Sequence, residues 1–124
     1  MPKALIVDDN KDVATTIARM VEILDWKAVA VFSPRAALEA IRRESPNIIL
    51  LDMNMPGIDG AEVLKYVKRD PTLNTTAVVF ISAEGPPEVQ EKMRSLGALD
   101  YLLKPIDFDQ LEAVLDKVVP PVED

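Results

Sequence analysis

The stretch NIILLDMNMPGIDG, residues 47–60, decides how this chain folds. It begins with an unbroken apolar run, which is typical of a β-strand covered on both faces, because a strand with one face in water alternates apolar and polar residues. The run stops at Asp52, and the proline and glycines that follow indicate a turn. The stretch therefore predicts a buried central strand with a carboxylate at its carboxyl end.

Three further apolar runs also end at polar side chains. Asp8 and Asp9 follow ALIV, Ser82 follows AVVFI, and Lys104 follows YLL. If these runs are neighbouring parallel strands, their carboxyl ends lie along one edge of a sheet, which brings carboxylates, a hydroxyl and an ammonium group into one pocket. Such a set of side chains suits a divalent cation and a phosphoryl group.

The apolar runs alternate with segments of helical spacing, which predicts five strand-then-helix units. The runs begin near Ala4, Lys27, Asn47, Thr76 and Ala98, and the clearest helical segments contain Val13, Ile17, Met20, Val21 and Leu24, and Phe108, Leu111, Leu115 and Val118. With right-handed crossovers these units predict an α/β fold: a doubly wound, parallel five-stranded sheet of order 2-1-3-4-5 in a flavodoxin-like three-layer sandwich. A barrel of eight units would need about twice the length. In this order the first and third strands are neighbours, so Asp8, Asp9 and Asp52 are expected to meet.

Residues that start and stop helices support these boundaries. Ser33 followed by Pro34 predicts an N-cap and a first helical position, and Gly97 stands where a helix would end in a left-handed residue. The prolines at 120 and 121 are expected to close the last helix. We therefore expect one domain over residues 1–119, with residues 120–124 as a tail or the start of a linker.

Composition narrows the chemistry. The net charge of -7, from 14 basic and 21 acidic residues, argues against direct binding to nucleic acid, which requires clustered Lys and Arg. The sequence has neither Cys nor His, so disulfides, thiolate metal sites and imidazole catalysis are excluded. The first apolar run, Ala4 to Val7, is far shorter than the ~20 residues that span a bilayer, and we expect a soluble, cytoplasmic protein without a membrane partner.

Three close carboxylates repel one another unless a cation neutralises them. Mg²⁺ prefers oxygen ligands and is typically held by one or two carboxylates together with a phosphate. Asp52 is the predicted nucleophile because it ends the central strand, and a nearby lysine would offset the charge on the phosphoryl oxygens.

These residues resemble the receiver domain of two-component response regulators, from Met1 to about Val119. The matching elements occur in the order IVDDN with Asp8 and Asp9, LLDMNMPGIDG with Asp52, FISAE with Ser82, and DYLLKP with Tyr101, Lys104 and Pro105. The resemblance implies that a sensor histidine kinase, a phosphotransfer protein or a small phosphodonor phosphorylates Asp52. It also implies that Asp9 and Asp52 bind Mg²⁺ directly, Asp8 through water, and Asn54 through its backbone carbonyl.

The resemblance also assigns roles around the phosphoryl group. Ser82 would donate a hydrogen bond to it, and Lys104 would pair with Asp52 and then with the phosphate. The bond before Pro105 is often cis in the family, which would aim the ammonium group inward. Tyr101 matches the aromatic residue that turns inward when the hydroxyl residue moves toward the phosphate.

Two departures from the family pattern bear on this switch. Ser82 stands where Thr is commoner, which predicts looser coupling to Tyr101. The GPP stretch, residues 85–87, is expected to stiffen the loop that moves on activation.

Asn54 and Glu84 match positions that tune the lifetime of the phosphoryl group in the family. The same pair of residues occurs in chemotaxis regulators with short-lived phosphorylation, which favours fast turnover.

The predicted function is a phosphorylation switch. Phosphorylation would change the face formed by the fourth helix, fifth strand and fifth helix, and this face would control a downstream protein or domain. The same face could also form a homodimer. Two alternatives stay open: a haloacid-dehalogenase-like Mg²⁺ phosphatase, which would need DxDxT where this chain has DDNKD, and a degenerate receiver that only binds. Simpler interpretations of single residues are helix capping by Asp12 and a turn and cap at Asp59 and Gly60.

Overall fold

The computed structural model describes residues 1–57 and 59–119. These residues form strands and helices in strict alternation. The strands are β1 (Lys3–Val7), β2 (Lys27–Val31), β3 (Ile48–Asp52), β4 (Ala77–Ser82) and β5 (Asp100–Leu103). The helices are α1 (Lys11–Ile23), α2 (Pro34–Glu44), α3 (Gly60–Arg69), α4 (Pro87–Ser95) and α5 (Phe108–Val118), with a short 3₁₀ turn at Pro71–Leu73.

The strands form one parallel sheet of order β2-β1-β3-β4-β5, which confirms the predicted topology. The register matters for the site. Val7 is opposite Leu51, so the residues that follow β1 lie beside the end of β3. Asp52 is opposite Ile81, one residue before Ser82. The strand ends therefore place Asp52 between the acidic pair after β1 and the hydroxyl at the end of β4.

The core lies on both faces of the sheet, as expected for a three-layer sandwich. Alternate residues of each strand point to opposite faces. Leu5, Ile49 and Phe80 pack in the layer that includes residues of α2, α3 and α4, whereas Ile6 and Leu50 pack in the layer that includes residues of α1 and α5. Because β3 is buried on both faces, truncating Leu50 to Ala should cost about 2–5 kcal/mol.

Local signals set most helix boundaries. The hydroxyl of Ser33 accepts a hydrogen bond from the amide of Ala36 at the start of α2, and Gly97 adopts a φ of 113° after α4, both as predicted. Asp59 caps α3 by accepting from Ala61. Asp12 is not the cap of α1.

Instead, the side chain of Asn10 accepts from the amide of Val13, and Asp12 lies within the first turn of α1. The predicted helix stop at residues 120 and 121 falls outside the described residues. Within residues 1–57 and 59–119, none of the helices has the length and apolar character that crossing a membrane requires.

Candidate functional site

Three carboxylates meet at the carboxyl edge of the sheet. One oxygen from each of Asp8, Asp9 and Asp52 lies within 4.8 Å of the other two. Asp8 and Asp52 are buried, with 2% and 3% of their surface exposed, whereas Asp9 faces solvent. The cluster arises because β1 and β3 are neighbours in the sheet, with Asp8 and Asp9 directly after β1 and Asp52 at the end of β3.

Lys104 supplies positive charge to this cluster. Its Nζ lies 2.9 Å from Oδ2 of Asp8 and 3.5 Å from Oδ1 of Asp52. The pairing with Asp8 is therefore the closer one, whereas the family resemblance implied Asp52 as the partner. The backbone amide of Lys104 donates to the carbonyl of Ser82, which fixes the end of β5 beside β4, and the bond to Pro105 is cis.

The oxygens of Asp8 differ in their surroundings. Oδ1 accepts a hydrogen bond of 2.9 Å from the amide of Asn10. Oδ2 is buried and, within the described part of the chain, accepts no hydrogen bond of good geometry, so Lys104 neutralises it as an ion pair without the alignment of a hydrogen bond. A buried carboxylate oxygen with an open lone pair, beside two further carboxylates, is a donor set that fits a small divalent cation.

The pocket shifts the titration of two groups. Burial raises the pKa of the Asp52 carboxyl above its ordinary value, and the charge of Asp8 adds to the rise. The amide of Asn54, which donates to Oδ1 of Asp52 over 3.0 Å, acts in the opposite direction and limits the rise in pKa. For Lys104, burial alone would lower the pKa, but the two carboxylates outweigh it, so the pKa of Lys104 is raised.

Ser82 is held by a residue that the sequence pattern had assigned a different contact. Its buried hydroxyl donates to the side-chain oxygen of Asn54 over 2.7 Å, and the amide of Ala83 donates to the same oxygen over 3.3 Å. The amide of Glu84 donates to the hydroxyl of Ser82 over 3.2 Å. The family resemblance implied a backbone role and a lifetime-tuning role for Asn54 but not this side-chain contact, because Ser82 and Ala83 lie at and just after the end of another strand.

Tyr101 is buried and turned into the protein. Its hydroxyl donates to the backbone carbonyl of Glu84 over 3.1 Å, and its ring lies 6.3 Å from that of Phe80. The side chain of Glu84 is exposed. Sequence reasoning treated Gly85 only as part of a stiff loop, but a Cβ at this position would lie 2.6 Å from Cε1 of Tyr101. The glycine itself was the signal that a side chain approaches closely here.

An apolar cavity of about 450 Å³ adjoins the acidic cluster. It lies between α1 and the segment after β5, with Val13, Ile17 and Met20 on one side and Pro105 and Ile106 on the other. Lys104, which pairs with Asp8 and Asp52, is part of its wall.

Comparison with known proteins agrees with this geometry. The family model for the response regulator receiver domain matches residues 4–116. Sporulation initiation phosphotransferase F of Bacillus subtilis is 30% identical over 119 residues, which cover 95% of this chain and 94% of that protein. Transcriptional regulatory protein ZraR of Escherichia coli is 34% identical over 116 residues, but the match covers 93% of this chain and only 26% of ZraR.

Solved structures give the same result. The chemotaxis response regulator CheY4 of Vibrio cholerae superposes with a TM-score of 0.84 at 25% identity, covering 96% of this chain and 99% of CheY4. The match of the family model spans all five strands and the acidic cluster, and the relatives align over nearly the whole chain. The chain therefore belongs to the family of response regulator receiver domains.

Proposed function

We propose that Asp52 is the residue that accepts the phosphoryl group. The observation that carries the proposal is the position of this carboxylate, which is buried, within reach of two other acids and 3.5 Å from a lysine ammonium group. A receiver domain is a phosphoacceptor signalling module and not a conventional enzyme, and its partners are kinases or phosphotransfer proteins. Here the donor is a sensor histidine kinase, a phosphotransfer protein or a small acyl phosphate.

In the reaction, the phosphoryl group moves from an oxygen or nitrogen atom of the donor to a carboxylate oxygen of Asp52. A carboxylate oxygen of Asp52 forms a bond to phosphorus, while the bond from phosphorus to the donor breaks and the donor leaves with its electron pair. Hydrolysis later returns inorganic phosphate and the free carboxylate. The raised pKa of Asp52 reflects the cost of the buried charge, which a cation in the pocket would offset.

The acids provide a magnesium site. Asp9 and Asp52 would bind Mg²⁺ directly, Asp8 through a water molecule, and Asn54 through its backbone carbonyl. When bound, Mg²⁺ screens the negative charge between the carboxylates and the phosphoryl oxygens. Oδ2 of Asp8 supports this assignment, because it is buried beside two further carboxylates and, among the described residues, is paired with Lys104 but accepts no hydrogen bond of good geometry.

Lys104 and Ser82 would bind the transferred group. Lys104 already lies between Asp8 and Asp52, so its ammonium group needs only a small movement to pair with a phosphoryl oxygen. Ser82 ends β4 next to Asp52 and carries a buried hydroxyl that donates a hydrogen bond. Charge-assisted hydrogen bonds of this kind are about twice as strong as neutral ones.

The output is a change in the face formed by α4, β5 and α5. Tyr101 on β5 and Ser82 on β4 would couple this face to the phosphoryl group as a shift between two populations. Leu103 at the end of β5 is 44% exposed and offers apolar surface to a downstream effector protein or to a second copy of the chain. Asn54 and Glu84 would tune the lifetime toward fast turnover.

The cellular location and the class of partner follow from the phosphoryl donor and from the net charge of the chain. A kinase donor places the domain in the cytoplasm, and the net charge of -7 supports protein partners over nucleic acid or an anionic membrane surface. The receiver unit would be residues 1–119, followed by a tail or linker at 120–124.

Intact-mass measurement tests this proposal. Incubation with Mg²⁺ and acetyl phosphate should add one phosphate to the wild type and none to Asp52→Asn. Asp116→Asn, which removes an exposed acid on α5, is the matched control and should be phosphorylated like the wild type. Phosphate on Asp52→Asn, or none on the wild type, would refute the assignment.

The alternatives predict different results. A haloacid-dehalogenase-like phosphatase would hydrolyse p-nitrophenyl phosphate with many turnovers. A receiver should release no p-nitrophenol from this compound. A degenerate receiver would neither bind Mg²⁺ nor take up phosphate.

A further inference from the structure

We propose that the side chain of Asn54 competes with the phosphoryl group for its binding donors. This inference rests on the proposed function of Asp52. The side-chain oxygen of Asn54 accepts from the hydroxyl of Ser82 over 2.7 Å and from the amide of Ala83 over 3.3 Å. Two donors that converge on one oxygen form the kind of arrangement that binds an anionic oxygen.

The position of Asn54 places its amide group beside the acceptor. Its backbone amide donates to Oδ1 of Asp52 over 3.0 Å, so the turn after β3 is tied to the acceptor carboxylate. The side chain then reaches across to the end of β4, where Ser82 and Ala83 lie. Asn54 thus occupies these donors directly next to the carboxylate that would carry the phosphoryl group.

Burial explains why Ser82 needs a partner before phosphorylation. The residue is only 1% exposed, so bulk water cannot readily satisfy its hydroxyl, and a buried donor without an acceptor is unfavourable. The oxygen of Asn54 satisfies it in the unphosphorylated state. A phosphoryl oxygen must displace the Asn54 oxygen, and the broken contact reduces the net gain from the new, charge-assisted bond.

Asn54 itself is exposed, so its side chain can leave without unfolding the core. The competition therefore works as a threshold: the switch engages Ser82 only when the incoming group is a better acceptor than a neutral amide. A phosphoryl group is such an acceptor, whereas water and neutral ligands are not.

The test is a double-mutant cycle that uses beryllium fluoride with Mg²⁺ as the probe of phosphoryl binding. Asn54→Ala should tighten beryllofluoride binding about 3- to 10-fold, since one neutral hydrogen bond no longer has to be broken. In a Ser82→Ala background, the same substitution should change the affinity less than about 2-fold, because the main contact is already absent. Asn74→Ala, at the exposed end of the 3₁₀ turn, is the control and should leave the affinity unchanged.

A second readout is independent of binding. In the unliganded protein, Asn54→Ala should shift the amide resonance of Ala83, which loses its acceptor, and Asn74→Ala should not. Unchanged or weaker beryllofluoride binding by Asn54→Ala, or an equal gain in the Ser82→Ala background, would overturn the competition while leaving the phosphoacceptor role of Asp52 intact. A wild type that binds no beryllofluoride would overturn both proposals.

Discussion

The ring of Tyr101 lies against the backbone of Gly85, in the space that a side chain at position 85 would occupy. A Cβ there would be 2.6 Å from Cε1 and 3.2 Å from Cζ of Tyr101, both shorter than ordinary van der Waals contact. The inward position of Tyr101 is also held by its hydrogen bond to the carbonyl of Glu84. The absence of a side chain at residue 85 is therefore a condition for this inward position of Tyr101.

Gly85→Ala should push Tyr101 outward. We expect a loss of about 1–3 kcal/mol in the free energy of unfolding from overpacking, together with faster nitration of Tyr101 by tetranitromethane. Urea unfolding and peptide mass mapping would measure the two effects, with Tyr66 on α3 as the internal reference for nitration.

The control for this prediction is the same substitution in a Tyr101→Ala background, which has no ring to displace. There, Gly85→Ala should cost clearly less than in the wild type, because the ring atoms are absent and only the contact of 3.1 Å with Cδ2 of Leu103 remains. An equal cost in both backgrounds would show that the strain does not lie against Tyr101.

Asp52→Asn should stabilise the protein at neutral pH when no divalent cation is present. A carboxyl whose pKa is raised on folding holds its proton more tightly in the folded state, so it lowers the free energy of unfolding as pH rises through the folded-state pKa. Removing the charge should therefore raise that free energy at pH 7.

The pH dependence separates this effect from a change in packing. Below pH 3.8, the ordinary value for Asp, the carboxyl is protonated in both states and the difference between the variants should vanish. Chemical unfolding in EDTA from pH 3 to 8 measures it. A difference that is constant with pH would contradict the role assigned to the buried charge.

Lys104→Met should destabilise the protein in EDTA, since Asp8 and Asp52 would share a pocket without a cation. We expect a loss of about 1–2 kcal/mol, below the ~3–5 kcal/mol for a fully buried pair, because the lysine side chain is 22% exposed. Lys117→Met is the matched control. Its side chain is 55% exposed and lies 3.7 Å from Asp100, so its loss should be close to zero.

Mg²⁺ should raise the thermal stability of the wild type. At a concentration ten times the dissociation constant, the gain is about 1.4 kcal/mol. Asp9→Asn should reduce this gain, because Asp9 contributes one of the three clustered carboxylates. Thermal scans with and without Mg²⁺ test this, and an equal response in both proteins would exclude Asp9 as a ligand.

Apolar patterning was sufficient to predict the sheet. The uninterrupted apolar runs predicted strands buried on both faces. The chain is too short for a barrel of eight units, so a five-stranded sheet of order 2-1-3-4-5 was the favoured topology. Once the first and third strands are neighbours, Asp8 and Asp52 must meet, so the acidic cluster followed from the fold.

Contacts that depend on the path of a loop were not predictable. Asn10 and Asp12 are both good capping residues two positions apart, and the geometry of the turn after β1 decides in favour of Asn10. The pairing of Lys104 with Asp8 and that of Ser82 with Asn54 depend on distances of a few tenths of an ångström within the pocket. Sequence spacing does not determine distances of that size.

The most direct test of the central claim is to locate the phosphorylated residue. The protein is incubated with Mg²⁺ and acetyl phosphate and then reduced with borohydride, which converts an aspartyl phosphate to homoserine, and tandem mass spectrometry of the peptides identifies the position. The prediction is homoserine at position 52 and aspartate at positions 8 and 9. Homoserine at position 8 or 9, or no homoserine in a protein that has gained phosphate, would contradict the assignment of Asp52 as the phosphoacceptor.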